Sequence, residues 1–570
     1  MTFPTPLRVA LAQFRPVLGD LDANAQRILR FAEAARREGA ELLVCPELSL
    51  LGYPPDDLLE RPALPRALER ALQALATALP SGIGVLCGAP ECPDVPAAAD
   101  SDEACGAQAR PRPLVYNAAW LLRDGRAEVV ARKQALPNFG VFDERRHFTP
   151  GGETGAFTLA GMPVRVLICE DLWDDAIAGA DGAAALHLVI NASPFDQGKR
   201  AQRRGLLERR SRATAGPWIY VNLVGGQDEL VFDGDTQVWQ DGRQINQAVA
   251  LSEALYLQDL HAPATPAAAE PAAATLLADT AFWGAAPAMS DSELLYRVLC
   301  AGIRDYFRCN GFRHIFIGLS GGIDSALVLA LAADAVGPQR VTAVAMPSPY
   351  TAQMSLDDAQ AQARALGVRY RVVPIANLAE SFAAALDPWH GALPADATEE
   401  NIQARARGVL LMAMANKAGG LVLATGNKSE MAVGYCTLYG DMCGGYAPIK
   451  DVYKMQVYAL ARWRNRHHPV IPERVITRPP SAELRPEQTD QDSLPPYAVL
   501  DVLLERMIED ELSADAIIAQ GFNAADVVKV QGLLRFAEFK RRQAAPGPKV
   551  TRRAFGRERR YPITARYPTI

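Results

Sequence analysis

From Leu7 to about Gln258 the chain alternates short apolar runs with stretches of helical spacing. Leu7–Phe14 (LRVALAQF) predicts a strand, Ala23–Glu38 a helix, and Glu41–Cys45 (ELLVC) a strand again. Ile83–Cys87, Tyr116–Leu122, Val129–Arg132, Val164–Ile168, Leu186–Asn191 and Trp218–Leu223 continue the series. The Ala/Asp/Pro-rich stretch Pro93–Pro113 reads as a surface insertion, and Ala/Pro-rich His261–Ser290 as a linker. Beyond it, Asp291–Asn310 has the spacing of an amphipathic helix. His314–Leu319, Val341–Met346, Tyr370–Pro374 and Leu421–Thr425 then predict strands separated by helical segments. Such alternation points to an α/β chain, its second half a doubly wound parallel sheet. The expected organisation is a domain over residues 1–260, a linker over 261–290 and a domain over 291–570.

Composition narrows the partners. A chain of 570 residues exceeds one core, and 49% hydrophobic with 22% charged residues is ordinary for a globular protein. The net charge of -6 argues against nucleic-acid or anionic-membrane partners and leaves small molecules. Lys540–Arg566 departs from this, with ten Lys or Arg and one acid, Glu558. It reads as a solvated tail or as a grip on a phosphorylated ligand. The nine cysteines are odd in number and form no CxxC pair, so neither a disulfide framework nor a zinc site is expected. No N-terminal signal pattern occurs, nor an apolar run of the roughly 18 residues needed to span a bilayer. A cytoplasmic protein is expected.

Three reactive side chains end three predicted strands of the first half: Glu47 after Leu42–Pro46, Lys133 after Val129–Arg132, and Cys169 after Val164–Ile168. Strand ends on one sheet edge can bring distant residues together. The trio suits attack on an unactivated amide. An ammonium lowers a thiol's pKa, a carboxylate accepts its proton, and the ammonium then steadies the oxyanion. Singly, each has a plainer role: a solvated lysine, a packing thiol, an acid at a helix start. Spacing does not choose between them. Cys45 is a rival nucleophile, but it lies inside a strand run before a proline and is assigned to packing.

The surrounding blocks are more specific. Cys45–Pro55 (CPELSLLGYPP), Lys133–Glu144 (KQALPNFGVFDE), Leu167–Trp173 (LICEDLW) and Asn191–Lys199 (NASPFDQGK) together resemble the glutaminase branch of the nitrilase family. The resemblance implies an α-β-β-α sandwich, Glu47 as general base, Lys133 as oxyanion stabiliser, and Cys169 as the nucleophile forming a glutamyl thioester. It places Phe139, Ser193 and Lys199 around the glutamine. Phe139 stands where the family pattern usually has Tyr, so a hydroxyl contact to glutamine is expected to be missing.

In the second half, Ser320-Gly321-Gly322-Ile323-Asp324-Ser325 follows an apolar strand and opens the helical run Ala326–Val336. Two glycines let backbone N–H groups face phosphate oxygens at a helix N-terminus, and an Asp there can hold Mg²⁺. No Lys follows the glycines, so this is not the GxxxxGK[ST] loop. Alone, it is also an ordinary glycine turn with a Ser cap. It resembles the signature of the N-type ATP pyrophosphatases. Glu400–Arg407 (ENIQARAR), Thr425–Glu430 (TGNKSE), Tyr439–Gly445 (YGDMCGG), Pro480–Pro496 (PSAELRPEQTDQDSLPP) and Lys540–Val550 (KRRQAAPGPKV) all resemble the NAD⁺ synthetase family, here in its glutamine-dependent form.

That resemblance implies that ATP, glutamine and deamido-NAD⁺ are substrates and Mg²⁺ the cofactor, in a homo-oligomer. It places ATP on Gly318, Leu319, Ser320, Gly321, Gly322, Ile323, Asp324 and Ser325, with Thr425 and with Lys454 near the phosphates. It gives Mg²⁺ to Asp324 and Glu430, and deamido-NAD⁺ to Asn401, Glu430, Asp441 and Lys540. For Asn401 and Asp441 a polar helix face and a loop carboxylate are the plainer readings. The activity the resemblance implies is ATP-dependent amidation of deamido-NAD⁺ with ammonia from glutamine, and the alternative is an amidotransferase of that type acting on another acceptor acid, which would need different acceptor blocks. A nucleotide sensor with a degenerate hydrolase half would be expected to lack Cys169, Lys133 or Asp324, and all three are present.

Overall fold

The computed structural model describes residues 7–93, 114–153, 155–179, 184–260, 289–390, 393–394, 396–481, 483–485, 490–492 and 494–565. Most of the proposed insertion and linker therefore lies outside the described residues. The chain forms two compact units, Met1–Gly225 with Phe232–Ala288, and Gly226–Val231 with Met289–Ile570.

The first unit stacks two six-stranded sheets. One runs in the order Ala254–Leu260, Leu7–Gln13, Leu42–Val44, Gly84–Glu91, Tyr116–Arg123, Arg126–Arg132. The other runs Arg243–Gln247, Gln237–Gln240, Trp218–Asn222, Leu186–Asn191, Met162–Ile168, Gly155–Leu159. Side chains alternate across each strand, and that alternation builds the layers. Leu7, Val9 and Leu11 join Val164, Val166 and Ile168 in the apolar core between the sheets. Ala10, Ala12 and Phe14 face the other way, packing with Ile28, Leu68 and Leu72 of the helices Leu21–Arg37 and Leu64–Ala78. On the far sheet Leu167 and Val189 meet Leu206 and Leu207 of the helix Lys199–Ala213. This is the α-β-β-α sandwich.

In the second unit the strands Arg369–Val372, Val341–Ala345, Ile315–Gly318 and Leu421–Val422 form, in that order, a parallel sheet. The helix Ile323–Val336 is buried along Ser325–Ala333, as its all-round apolar sequence requires. Val344, Met346 and Val422 pack on Leu411 and Ala415 of the helix Ala397–Ala418. A largely helical region follows, its core formed by Leu500, Leu503, Leu504, Ile508, Val527 and Val530. Among the described residues no helix is long and apolar enough to cross a membrane.

Part of the basic C-terminal stretch is paired with acids, and its Lys540 lines a cavity. Arg541 and Arg542 pair with Glu538 at 2.8 and 3.0 Å, Arg552 with Asp510 at 2.7 Å, and Arg553 with Glu511. Glu538 belongs to the same short helix as Arg541, whereas Asp510 and Glu511 lie just beyond the helix Tyr497–Ile508, and a scan of local composition does not see them.

Candidate active sites

In the first unit, Glu47 leaves the strand Leu42–Val44 in a turn that lies directly on Gly88. A Cβ on Gly88 would meet the Leu48 nitrogen at 2.1 Å and the Glu47 carbonyl carbon at 2.7 Å, so glycine is required there. Lys133 follows the strand Arg126–Arg132, its N–H donating to the Asn117 carbonyl at 2.8 Å. Cys169 ends the strand Met162–Ile168 at φ +49°, a left-handed elbow unusual for a non-glycine residue.

The Lys133 ammonium, 1% exposed, donates to Glu47 Oε1 at 2.8 Å and to Glu144 Oε1 at 2.7 Å. Asn117 Nδ2 donates to Glu47 Oε1 at 2.7 Å and the Ala192 N–H to Glu47 Oε2 at 2.8 Å. Tyr53 donates its hydroxyl proton to Glu144 Oε1 at 2.8 Å. Burial pushes the Glu144 carboxyl up to about 7 against the pull of Lys133. Burial and then Glu47 raise the Cys169 thiol well above its ordinary value, while Lys133 pulls the other way. The sequence reading had the ammonium lowering this thiol's pKa. Lys133 does pull it down, but burial outweighs that pull and the buried Glu47 adds to the rise. Cys169 rests as a thiol, and its proton must leave during attack.

Of the predicted glutamine contacts, Ser193 is fixed by its N–H donating to Asn222 Oδ1 at 2.9 Å and by Arg203 donating to its carbonyl at 3.1 Å. The Lys199 ammonium lies 4.3 Å from the Trp173 ring centroid and acts electrostatically on Cys169 and Glu170. Burial lowers its pKa. Phe139 lies apart, 62% exposed and edge-on to Phe142 at 6.1 Å, with Phe142 in turn 6.5 Å from Tyr53. Glu144, Asn117 and Tyr53 were missed as functional residues. Glu144 closes the block Lys133–Glu144 and Tyr53 lies in Cys45–Pro55, so the blocks held the signal for two of them.

In the second unit a cavity of about 480 Å³ gathers the predicted residues. Gly318, Leu319, Ser320, Gly322, Ile323, Asp324, Ser325, Thr425, Lys454, Asn401, Glu430, Asp441 and Lys540 all line it. Gly321 does not line it. It sits at φ +80° against Ser355, whose carbonyl oxygen a Cβ would meet at 2.5 Å, while Arg478 donates to the Gly321 carbonyl. Ser325 and Ser320 hold the loop from inside: Ser325 Oγ donates to the Gly322 carbonyl at 3.0 Å and Gly322 N–H to Ser320 Oγ at 3.2 Å.

The Lys454 ammonium bridges Asp324 Oδ2 at 2.6 Å and Glu430 Oε1 at 3.0 Å. Asn427 caps the helix Lys428–Val433 and donates to Asp324 Oδ1 at 2.8 Å. Burial raises Glu430 to about 8, opposed by Lys454 and assisted by Asp324. The donors are carboxylates alone and already hold one cation between them, which suits a hard ion such as Mg²⁺. Thr437 links the acceptor candidates, its Oγ1 donating to Asn401 at 2.8 Å and its N–H to Asp441 at 2.6 Å. Lys540 donates to the carbonyls of Gly434 and Cys436, both at 2.7 Å. Arg407, Glu483 and Asp490, which also line the cavity, and Asn427, which holds Asp324, are additions to the sequence reading, all four within its motif blocks.

The carbon-nitrogen hydrolase family matches residues 8–257 and the NAD synthase family residues 295–544. The chain is similar to the glutamine-dependent NAD(+) synthetases of Xylella fastidiosa (49% identity, 98% of this chain and 99% of that protein) and Thermotoga maritima (42%, 98% and 99%). Among solved structures it resembles the glutamine-dependent NAD⁺ synthetase of Acinetobacter baumannii in complex with ADP, at 42% identity, TM-score 0.74 and 98% coverage of both chains. The Cytophaga hutchinsonii synthetase, 21% identical with TM-score 0.80 over 98% of each chain, shares the fold.

Proposed function

Because the chain belongs to the glutamine-dependent NAD⁺ synthetase family, we propose that its first unit frees ammonia from glutamine and its second amidates deamido-NAD⁺ with ATP. The products are NAD⁺, AMP, pyrophosphate and glutamate. The observation that carries this reading is the cavity of about 480 Å³ on which the nucleotide and acceptor motifs converge.

In the first unit the Cys169 sulfur attacks the glutamine amide carbon, and its proton passes to Glu47. Glu47 Oε2 holds the Ala192 N–H alone among the bonds described, which leaves it capacity for that proton. Lys133 spends two N–H groups on Glu47 and Glu144, and its third is available to the oxyanion. Glu47 returns the proton to departing ammonia, and water then releases glutamate from the thioester.

In the second unit the deamido-NAD⁺ carboxylate attacks the α-phosphorus of ATP and pyrophosphate leaves. Ammonia then displaces AMP from the acyl adenylate. Asp324 and Glu430 would hold Mg²⁺, which supplies charge neutralisation on the phosphates. Lys454 would stand beside those phosphates, and Asn401, Asp441 and Lys540 would orient the acceptor. The domain assignment 1–260, 261–290 and 291–570 belongs to the same proposal, as do a cytoplasmic location and a homo-oligomeric state, the latter resting on family resemblance.

The direct test supplies deamido-NAD⁺, ATP, Mg²⁺ and glutamine and measures NAD⁺, AMP and pyrophosphate in equal amounts. Formation of ADP instead of AMP would overturn the adenylation chemistry.

Phe139→Tyr gives a finer test of the glutamine pocket. The added hydroxyl restores one neutral hydrogen bond, about 0.5–1.5 kcal/mol net. The KM for glutamine should fall by up to about tenfold, with ammonium kinetics unchanged. A KM that stays the same or rises would show that no hydroxyl contact to glutamine is missing at Phe139.

A further inference from the structure

Asp171 is 2% exposed, and both of its oxygens accept backbone N–H groups from residues adjacent to Lys133 and Cys169. Its Oδ1 accepts the N–H groups of Gln134 at 3.0 Å and Ala135 at 2.8 Å. Its Oδ2 accepts the Ile168 N–H at 3.2 Å. Gln134 and Ala135 directly follow Lys133, and Ile168 directly precedes Cys169. One carboxylate therefore joins the segment carrying the ammonium to the elbow carrying the thiol.

We propose that Asp171 is a positioning residue for glutamine hydrolysis, setting the placement of Lys133 relative to Cys169 through these three backbone N–H groups. The proposal rests on the assignment of Cys169 and Lys133 given above. Two features of the surroundings explain why a carboxylate is needed. All three neighbours are donors, and only a side chain with acceptors at both ends serves both segments. The elbow also needs external restraint, because Cys169 holds a left-handed backbone without glycine's freedom. Asparagine would keep one acceptor and turn an N–H₂ toward a backbone N–H, releasing either the lysine segment or the elbow. A displacement of about 1 Å between reacting groups can cost on the order of a hundredfold in rate.

The test uses the full-length protein. In Asp171→Asn, kcat for glutamine hydrolysis should fall ten- to hundredfold while KM for glutamine stays within about twofold. Alkylation of Cys169 by iodoacetamide should change rate in the same variant, and NAD⁺ synthesis from ammonium should continue normally. Asp171→Glu, which keeps both acceptors, should recover part of the lost kcat. A glutaminase kcat within twofold of the parent in Asp171→Asn would overturn the proposal. So would an Asp171→Glu no better than Asp171→Asn, or a parallel loss of ammonium-driven synthesis in both variants, which would make Asp171 a general packing residue. Cys169→Ser measured alongside separates the two claims. If it retains glutamine-driven synthesis, the assignment of the nucleophile fails rather than the role of Asp171.

Discussion

Cys169→Ala is expected to abolish NAD⁺ formation from glutamine and to leave formation from ammonium at the parent rate. The thiol is 5% exposed and sits among Glu47, Lys133 and Glu144, a cluster wholly within the first unit. Alanine removes the atom that bonds to the substrate. For hydrolases with a covalent nucleophile this costs on the order of 10⁶ in kcat. Among the described residues no other cysteine is placed to replace it. Cys45 is fully buried against Leu43, Leu50 and Val85, and burial drives its thiol well above the ordinary range. Cys45→Ala should therefore retain glutamine-driven synthesis, subject only to the cost of a small core cavity. Steady-state rates with each nitrogen donor decide the matter. Equal loss with glutamine and ammonium in Cys169→Ala would remove the division into two sites.

The sequence disclosed those parts of the fold in which local pattern and tertiary role agree. The strand Leu7–Gln13 shows its two faces directly, with Val9 and Leu11 toward the inter-sheet core and Ala10 and Ala12 toward the helices. The strands Gln237–Gln240 and Arg243–Gln247 were not named individually because they are short and carry polar side chains. Gln237 on the strand Gln237–Gln240 is fully buried, yet its amide donates to Asp235 and its oxygen accepts from Trp239. Such a residue reads as a turn until its partners are known. Gly155–Leu159 alternates buried and exposed positions at the sheet edge, and its pairing with Met162–Ile168 comes from the hairpin.

The same physics separates the legible from the hidden part of each site. Glu47, Lys133 and Cys169 end apolar strands, a pattern visible along the chain. Glu144 precedes Arg145 and Arg146, so its neighbourhood reads as a solvated face. It turns inward because Tyr53 and Lys133 supply the hydrogen bonds that a buried carboxylate needs. Asp324, Glu430 and Lys454 each belonged to the sequence reading. Their bridge could not be read from it, because it joins residues 130 and 24 positions apart through tertiary packing.

Asp324→Ala should remove NAD⁺ synthesis with either nitrogen donor, the opposite pattern to Cys169→Ala. Asp324 opens the helix Ile323–Val336 and lines the cavity, one oxygen held by Lys454 and the other by Asn427. Alanine leaves Lys454, 1% exposed, with Glu430 as its remaining bridging carboxylate, and leaves the site one donor short for a divalent cation. Loss of such a ligand costs several kcal/mol of charge stabilisation in the transition state. At about 1.36 kcal/mol per factor of ten, the expected fall is on the order of a thousandfold or more. Asp324→Asn separates charge from shape, since it keeps the side chain's size but not its negative charge. It should be nearly as inactive as the alanine variant. Glutamine hydrolysis measured without ATP or deamido-NAD⁺ should remain, because the cluster around Cys169 lies in the other unit. The decisive comparison is ammonium-driven synthesis in the two variants over a range of Mg²⁺ concentrations. Rates within a few-fold of the parent in Asp324→Asn would show that its carboxylate charge is not used, and that the loop Ser320–Ser325 does not bind the metal–nucleotide.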